Sequence, residues 1–472
     1  MAVNPFRSST RETLLAVPPN QVSEPSANPA AQPTAAGGSP RRLLDSQWRK
    51  IISSIGMRHG LVLSAAMILA GGLDYIVNVL VGRWLMPIEY GVFVAIAAIL
   101  QVFLYLSIAI RNVVAFYAAE LTAKADPDQS SLRAFVQRAW RWAWQWGLAT
   151  TTVVMLLSVP SARLLRLSNS WPLWAAAPMI LALFLRPVTD GVLQGVQAFG
   201  RLGLVHVSQA FVRLFFTAGL IALGSQAAGA IFALPLACFT ALVLAWLWLR
   251  PQFRAVGKVV ARRVSWHYSA CTLLGLAVFG LLVNLDALFV KRFFSPTVAG
   301  NYGPVVTVAK VCLFFPMAMG MILLPKAKLR HAIGRDARPI LLIALAGVLV
   351  PGLLLTTICF LFPGFLVNIV FGAAYNNPGI VLGLACLAAG LYAGLNIWLN
   401  YALSLERPAF IYALLVVLCL QGLGMYLFGR GSLIDMTAVM VSGGLLGNLA
   451  GLITTWWIYS PSKLRHTQAI ES

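Results

Sequence analysis

Apolar residues in this chain occur in long runs that short polar segments separate. From residue 59 onward, windows of about 20 apolar residues follow one another, and an α-helix of that length crosses the hydrocarbon core of a bilayer. Because lipid offers backbone polar groups no water, such runs fold as membrane helices. The pattern predicts twelve spans, over residues 60–81, 91–112, 142–160, 172–193, 203–223, 227–249, 266–290, 300–324, 339–362, 378–400, 408–428 and 434–458.

Composition agrees with this pattern. Of the 472 residues, 59% are apolar and only 10% are charged, and the mean hydropathy is +0.81. A soluble domain carries about 25% charged residues. We therefore expect an all-α polytopic membrane protein, with lipid as the solvent of its outer helix faces.

The basic residues indicate how the chain is oriented in the membrane. The net charge is +21, with 35 lysines and arginines. If the N-terminus is cytoplasmic, 25 of them lie in segments that face inside, six lie outside and four lie within spans. This bias predicts that both termini are cytoplasmic. The same bias explains the positive net charge. We do not expect nucleic-acid binding, because no folded basic domain remains outside the spans.

Segments outside the spans divide the chain further. Residues 1–40 are rich in Pro, Ser, Ala and Asn, which predicts a disordered cytoplasmic tail. Residues 41–58 combine apolar residues at helical spacing with basic ones, typical of an amphipathic interfacial segment, although a plain basic flank explains them equally well. The remaining predicted units are a six-helix bundle over 59–250, a basic cytoplasmic linker over 251–263, a second six-helix bundle over 264–459 and a cytoplasmic tail over 460–472.

A short segment of the first hairpin recurs in the second half. The sequence "VGRWLMPIEYGVF" (81–93) is matched by "VKRFFSPTVAGNY" (290–302). An offset of 209 residues aligns Val81 with Val290, Arg83 with Arg292, Pro87 with Pro296 and Gly91 with Gly300. Each copy joins an odd span to an even one, which predicts two parallel repeats about an axis along the membrane normal. Within each copy, Pro and Gly interrupt the helices, and the arginine is expected to reach the headgroups.

Several stretches resemble one family of transporters. "VGRWLMPIEYGVFVAIAAIL", "VNLDALFVKRFFSPTVAGNYGPVVTVAK" and "NIVFGAAYNNPG" are similar to segments of bacterial polysaccharide and O-antigen flippases of the multidrug/oligosaccharidyl-lipid/polysaccharide exporter superfamily. The resemblance covers residues 59 to about 460. It implies a MATE-like pair of bundles around a central cavity. It also implies alternating access and export of a lipid-linked oligosaccharide across the bacterial inner membrane for exopolysaccharide or lipopolysaccharide synthesis.

The charged residues inside the predicted spans include Arg111, Arg186, Arg213, Lys310, Asp74, Asp190 and Asp286. A basic side chain that faces lipid at mid-depth costs about 2.5–3.5 kcal/mol, so we expect most of them to face a cavity or a partner. A polyprenyl pyrophosphate is anionic where the lipid meets the sugar, and basic groups at several depths would attract it. Lys310 and Arg213 are the leading candidates for this role, followed by Arg186 and Arg111.

The acids and amides have two interpretations each. Asp286, Asp74 and Asp190 either bind a coupling ion or pair with basic residues; Asp190 lies one helical turn after Arg186, as an ion pair within the helix requires. Four asparagines are candidate contacts for sugar hydroxyls, although hydrogen bonds between helices explain each of them as well. They are Asn78, Asn284, Asn396 and Asn400.

The chain lacks the motifs of several other chemistries. It shows no nucleotide-binding loop, no metal-ligand cluster and no catalytic triad, so we expect a transporter without cofactor or metal rather than an enzyme. The expected partners are the lipid-linked oligosaccharide, membrane lipids and polysaccharide polymerase or export machinery. The alternatives are a drug/cation antiporter of the same superfamily, a membrane glycan polymerase and a non-transporting scaffold. The loops between the predicted spans are short for the catalytic segments that a polymerase needs.

Overall fold

The computed structural model describes residues 55–123, 130–253, 266–313, 338–404 and 408–455. The tails predicted over 1–40 and 460–472 lie outside the described residues. So do most of the interfacial segment and most of the linker between the two halves.

Helices account for nearly all of the described chain. Those of the first half, here called the N-half, are α1 (Ile55–Trp84), α2 (Pro87–Ala123), α3 (Ser130–Leu156), α4 (Ser158–Leu164), α5 (Trp171–Gly195), α6 (Phe199–Ala222) and α7 (Gln226–Leu249). A 3-10 turn over Arg250–Phe253 follows α7. The C-half contains α8 (Trp266–Phe293), α9 (296–313), α10 (Arg338–Leu361), α11 (Pro363–Phe371), α12 (Ile380–Ser404), α13 (Ala409–Leu427) and α14 (Leu433–Ile453).

Among the described residues, ten helices are long and apolar enough to cross a membrane. The predicted third span differs from the structure in its bounds: α3 already begins at Ser130, and α3 and α4 together form one candidate span that bends by 53°. The predicted eighth span is described only as far as residue 313. The all-α, multi-span architecture is thus confirmed.

Local sequence sets the helix ends. Pro87 and Pro363 lie in the first turns of α2 and α11, where a missing N–H costs no hydrogen bond. Ser432 caps α14, because its hydroxyl accepts a hydrogen bond from the amide of Asp435 at 3.1 Å.

Small residues allow the helices to approach closely. In the N-half, α2 packs on α5, where a Cβ added at Gly195 would lie 2.5 Å from that of Ala118. In the C-half, Gly443, Gly447 and Gly451 on α14 pack directly against side chains of α13 and α12, as their GxxxGxxxG spacing predicts. Helix packing in lipid depends on such close van der Waals contact.

The two halves meet along α2 and α8–α9, and the repeated motifs lie at this junction. A Cβ added at Gly91 would lie 2.9 Å from Cα of Gly300, its equivalent in the repeat. A residue contacts its own equivalent only close to a two-fold axis. The contact therefore places the pseudo-symmetry axis between α2 and α9, as the parallel repeat predicts.

Candidate functional site between the two halves

The end of the molecule that carries the hairpin between α1 and α2 is closed by contacts across the halves. This end is predicted to face outside. Nε of Arg83 donates to the carbonyl of Val370 at 2.7 Å, and its Nη2 donates to the carbonyl of Ile369. The hydroxyl of Tyr375 donates to the carbonyl of Gly82 at 2.6 Å. Arg83 thus binds the C-terminal end of α11, where carbonyls lack helical partners, rather than only reaching toward headgroups.

Aromatic residues extend this closure toward the interior. Tyr90 is buried, and its ring centroid lies 5.8 Å from that of Phe371 and 6.0 Å from that of Tyr375. Its hydroxyl is hydrogen-bonded to that of Thr307 on α9 at 2.6 Å. We call the contacts of Gly82, Arg83, Tyr90, residues 369–371 and Tyr375 the outer closure.

Lys310 lies below the outer closure, at the junction of the halves. Its Nζ donates to Oε1 of Gln101 at 2.7 Å and to Oδ1 of Asn284 at 3.2 Å. Gln101 is its equivalent in the 209-residue repeat, so this contact also lies near the pseudo-symmetry axis. Fourteen residues of helix separate Gln101 from Pro87, about 21 Å along α2. Both oxygens are neutral, and within the described ranges no carboxylate forms an ion pair with Lys310.

Asp286 lies on the same helix as Asn284 but has different partners. The hydroxyl of Tyr302 donates to its Oδ2 at 2.9 Å. Tyr302 also contacts the sulfur of Met440 at 3.8 Å, which connects α9 to α14. Asp286 is therefore held within the C-half by a hydroxyl, and its charge interacts with that of Lys310 on α9 without forming an ion pair.

Arg213 and Asp74 form an ion pair between α6 and α1. Nη1 of Arg213 lies 2.7 Å from Oδ1 of Asp74. The arginine side chain is only 10% exposed, whereas that of Asp74 is 44% exposed. Asn78 donates to the Asp74 backbone carbonyl at 2.8 Å and so bonds within its own helix.

The unequal exposure of this pair predicts unequal mutant effects. Asp74→Asn should lower the free energy of unfolding by about 2 kcal/mol, because it leaves the buried guanidinium unpaired. Arg213→Gln should cost less than about 1 kcal/mol, since water solvates the exposed carboxylate. Denaturant unfolding in micelles measures both values, and the double variant should be more stable than Asp74→Asn alone. Equal losses in the two single variants would contradict this prediction.

A second group of polar residues, here called the inner cluster, lies between α5, α6 and α7. Nε of Arg186 lies 3.2 Å from Oδ2 of Asp190, and its Nη2 lies 3.2 Å from Nδ1 of His206. Nη1 of Arg186 donates to Oε1 of Gln209 and lies 3.8 Å from the sulfur of Cys238. The ion pair that the Arg186–Asp190 spacing allows is therefore present, within a larger network.

Arg111 adjoins the inner cluster from α2. Its backbone carbonyl would lie 2.9 Å from a Cβ added at Gly191, and its charge interacts with those of Asp190 and Arg186. Its Nε has no hydrogen-bond partner in the part of the chain that the structure describes. Arg111 therefore adds a second positive charge beside a single carboxylate.

The predicted asparagines are divided among these groups. Asn284 contacts Lys310, whereas Asn396 and Asn400 lie on α12. Nδ2 of Asn400 donates to Oδ1 of Asn396 at 2.9 Å, and Asn396 is buried. In this conformation the two amides bond to each other.

The structure places three residues at these groups that the sequence pattern did not indicate as candidate site residues. They are Gln101, His206 and Tyr302. The repeat itself points to Gln101, since subtracting 209 from Lys310 gives its number. His206 has a weaker signal. It precedes Gln209 and Arg213 by three and seven positions, which places all three on one face of α6.

The described chain has two helical halves that meet at repeated motifs, with buried charges near that junction. This architecture is that of a polytopic membrane protein of the MATE-like fold. Solved structures agree. The lipid II flippase MurJ, in an inward closed conformation, matches with a TM-score of 0.65 and 12% identity, over 84% of this chain and 87% of that one. An outward-facing multidrug resistance MATE transporter of the MOP superfamily matches with a TM-score of 0.62 and 13% identity, over 90% of this chain and 98% of that one.

An inward-facing transporter of that MATE family matches with a TM-score of 0.61 and 12% identity, over 82% of this chain and 97% of that chain. No protein-family model and no curated protein sequence matches this chain. At these identities the similarity establishes the fold of MOP-superfamily transporters.

Proposed function

We propose that this protein translocates a polyprenyl-pyrophosphate-linked oligosaccharide across a bacterial inner membrane by alternating access. The bundles over 59–250 and 264–459 would move relative to each other, with both termini cytoplasmic. Fold similarity to MATE transporters and to MurJ supports transport, and similarity to a lipid II flippase supports a lipid-linked cargo. Contact with polymerase or export machinery belongs to the same proposal.

The observation that carries the proposal is the excess of positive charge next to the junction. Asp74 pairs with Arg213, Asp190 pairs with Arg186, and Asp286 is held by Tyr302. Lys310 and Arg111 form no ion pair with a described carboxylate, and their charges interact at longer range with Asp286 and Asp190. Four basic groups thus share three carboxylates. A buried excess of positive charge is costly at membrane depth, and an anionic ligand would offset that cost. A pyrophosphate suits these groups, whereas a cationic drug would be repelled.

The depth of the basic groups fits movement of such a headgroup. Arg111 lies 24 residues into α2, about 36 Å from the outer end, and Lys310 and Arg213 lie near mid-depth. Because the outer closure is formed in this structure, cargo would enter from the opposite, predicted cytoplasmic side. Separation of Arg83 and Tyr375 from their partners would then open the outer side.

A drug/cation antiporter is the second candidate, because several of the similar structures are MATE transporters. Deletion of the gene distinguishes the two functions. We expect inward-facing polyprenyl-linked oligosaccharide to accumulate in the deleted strain, and wild-type protein to clear it. Intact glycan export together with altered resistance to cationic drugs would instead support the antiporter.

Lys310→Gln should reduce glycan export in that strain at least about tenfold, because one cationic hydrogen-bond donor is worth roughly 1.5–3 kcal/mol to an anionic partner. Arg201→Gln is the control, since Arg201 is a basic residue of α6 that is exposed and lies outside the groups described above. Its export should stay near that of the wild type. Membrane insertion of both variants is checked by their abundance in the membrane fraction. Normal export by Lys310→Gln would remove the assigned role of Lys310.

A further inference from the structure

The hydrogen bond between Arg186 and His206 fixes the protonation state of the histidine. A guanidinium has donors but no acceptor, so Nδ1 of His206 must accept from Nη2 of Arg186 at 3.2 Å. Nδ1 is therefore unprotonated, and the neutral ring carries its proton on Nε2. That nitrogen lies 3.7 Å from Oδ2 of Asp190 and has no hydrogen-bond partner in the described ranges.

Protonation of His206 and its bond to Arg186 exclude each other. A proton on Nδ1 would point at the donor groups of Arg186, and two positive charges would face each other at close range. If Arg186 moves away, Nδ1 becomes free. Asp190 then loses its arginine and retains the histidine as a neighbour, which favours an imidazolium beside the carboxylate.

The other charged groups around His206 support this balance. On neighbouring helices these groups are Asp190 and Arg186 on α5, Arg111 on α2 and Asp74 on α1, and all four interact with it electrostatically. On α7, the thiol of Cys238 faces Arg186. Asp74 is already paired with Arg213, so Asp190 is the carboxylate left to stabilise a charged His206.

The imidazole is also better placed for proton exchange than the residues it contacts. Its side chain is 19% exposed, compared with 8% for Arg186 and 6% for Asp190. Water can therefore reach part of the ring while the ion pair beside it stays buried.

We propose that His206 is a proton-binding site that is coupled to anionic cargo. When the cargo pyrophosphate draws Arg186 away, Nδ1 of His206 takes up a proton from water, and the imidazolium replaces Arg186 as the partner of Asp190. Release of the cargo returns Arg186 and expels the proton. Because coupling between two sites is reciprocal, protonation of His206 would also strengthen anion binding. This inference rests on the proposed function, since it requires an anion that competes for Arg186.

Proton counting by calorimetry tests the coupling. Farnesyl pyrophosphate serves as the probe and is titrated into full-length protein in micelles, in buffers with different heats of ionisation. His206→Gln is the matched variant, because the Gln carbonyl can accept from Arg186 but cannot be protonated near neutral pH. Protonation of the probe itself contributes equally to both titrations. Wild-type protein should take up about one proton more per bound probe than the variant.

The outcomes separate this inference from the function on which it rests. If the wild type and His206→Gln bind farnesyl pyrophosphate similarly and take up equal numbers of protons, the His206 site is overturned and the proposed function is not. Absence of probe binding to the wild type overturns both. In Arg186→Gln, Nδ1 is free from the start, so the extra proton should be lost; its full retention would also overturn the coupling.

A second measurement keeps the inference testable should His206→Gln fail to fold. Nitrogen-15 NMR of a variant in which the other four histidines are replaced reports His206 alone. We expect an unprotonated Nδ1 without the probe and a protonated one at saturation. A ring that stays neutral at saturating farnesyl pyrophosphate overturns the proposal.

Discussion

Arg83→Gln should open the outer closure. The arginine bridges the halves through two hydrogen bonds from a charged donor, to the carbonyls of Val370 and Ile369. Each such bond is worth up to about 1.5–3 kcal/mol, and exposure of Arg83 to solvent reduces that value. We expect a net loss of about 1.5 kcal/mol in the closed state, or about a tenfold shift toward opening.

Spin labels at Ile88 and Phe365, both exposed near the outer closure, measure this shift as a distance distribution in nanodiscs. Arg292→Gln is the matched control, because Arg292 is the repeat equivalent of Arg83. Its guanidinium lies 5.9 Å from the Phe293 ring centroid. The control should keep the wild-type distribution. If the two variants behave alike, Arg83 does not hold the halves together.

Gly300→Leu should abolish transport by preventing closure at the same end. A Cβ at Gly300 would overlap the carbonyl group of Pro87, and backbone cannot move aside as a flexible side chain can. Overpacking costs about 1–3 kcal/mol in cores, and contact with backbone places this variant at the upper end. A loss of about 3 kcal/mol reduces the closed population about 100-fold.

Gly219→Leu controls for a large side chain on a membrane helix, since a Cβ at Gly219 meets no atom within 4 Å. It should transport normally, whereas Gly300→Leu should insert into the membrane but show only long distances between the Ile88 and Phe365 labels. Closed-state distances together with normal transport would show that the glycine contact is not required.

The two variants differ in what they would do to the proposed transport cycle. Arg83→Gln removes an attractive contact, so both conformations stay accessible and transport is altered but present. Gly300→Leu depopulates the closed conformation about 100-fold. An alternating-access transporter needs both states, and only the second substitution should stop it.

The sequence determined the architecture because its signals are local or repeated. Runs of about 20 apolar residues define helices in lipid, where the backbone has no alternative partner. The matching motifs at 81–93 and 290–302 predicted a parallel repeat, and the Gly91–Gly300 contact bears this out. Apolar windows do not define helix ends: α3 begins at Ser130 because polar and aromatic residues at 130–141 continue the helix beyond the apolar window.

The partners of the charged residues were decided only by the tertiary structure. The spacing of Arg186 and Asp190 allowed their ion pair, since both lie on one helix. No local pattern joins Asp74 to Arg213, which are 139 residues apart, or Arg83 to residues 369 and 370. These contacts depend on how helices rotate and pack, and packing is set by shape complementarity over many residues. Which charges are neutralised, and therefore which are left for a ligand, follows from that packing and cannot be read from spacing along the chain.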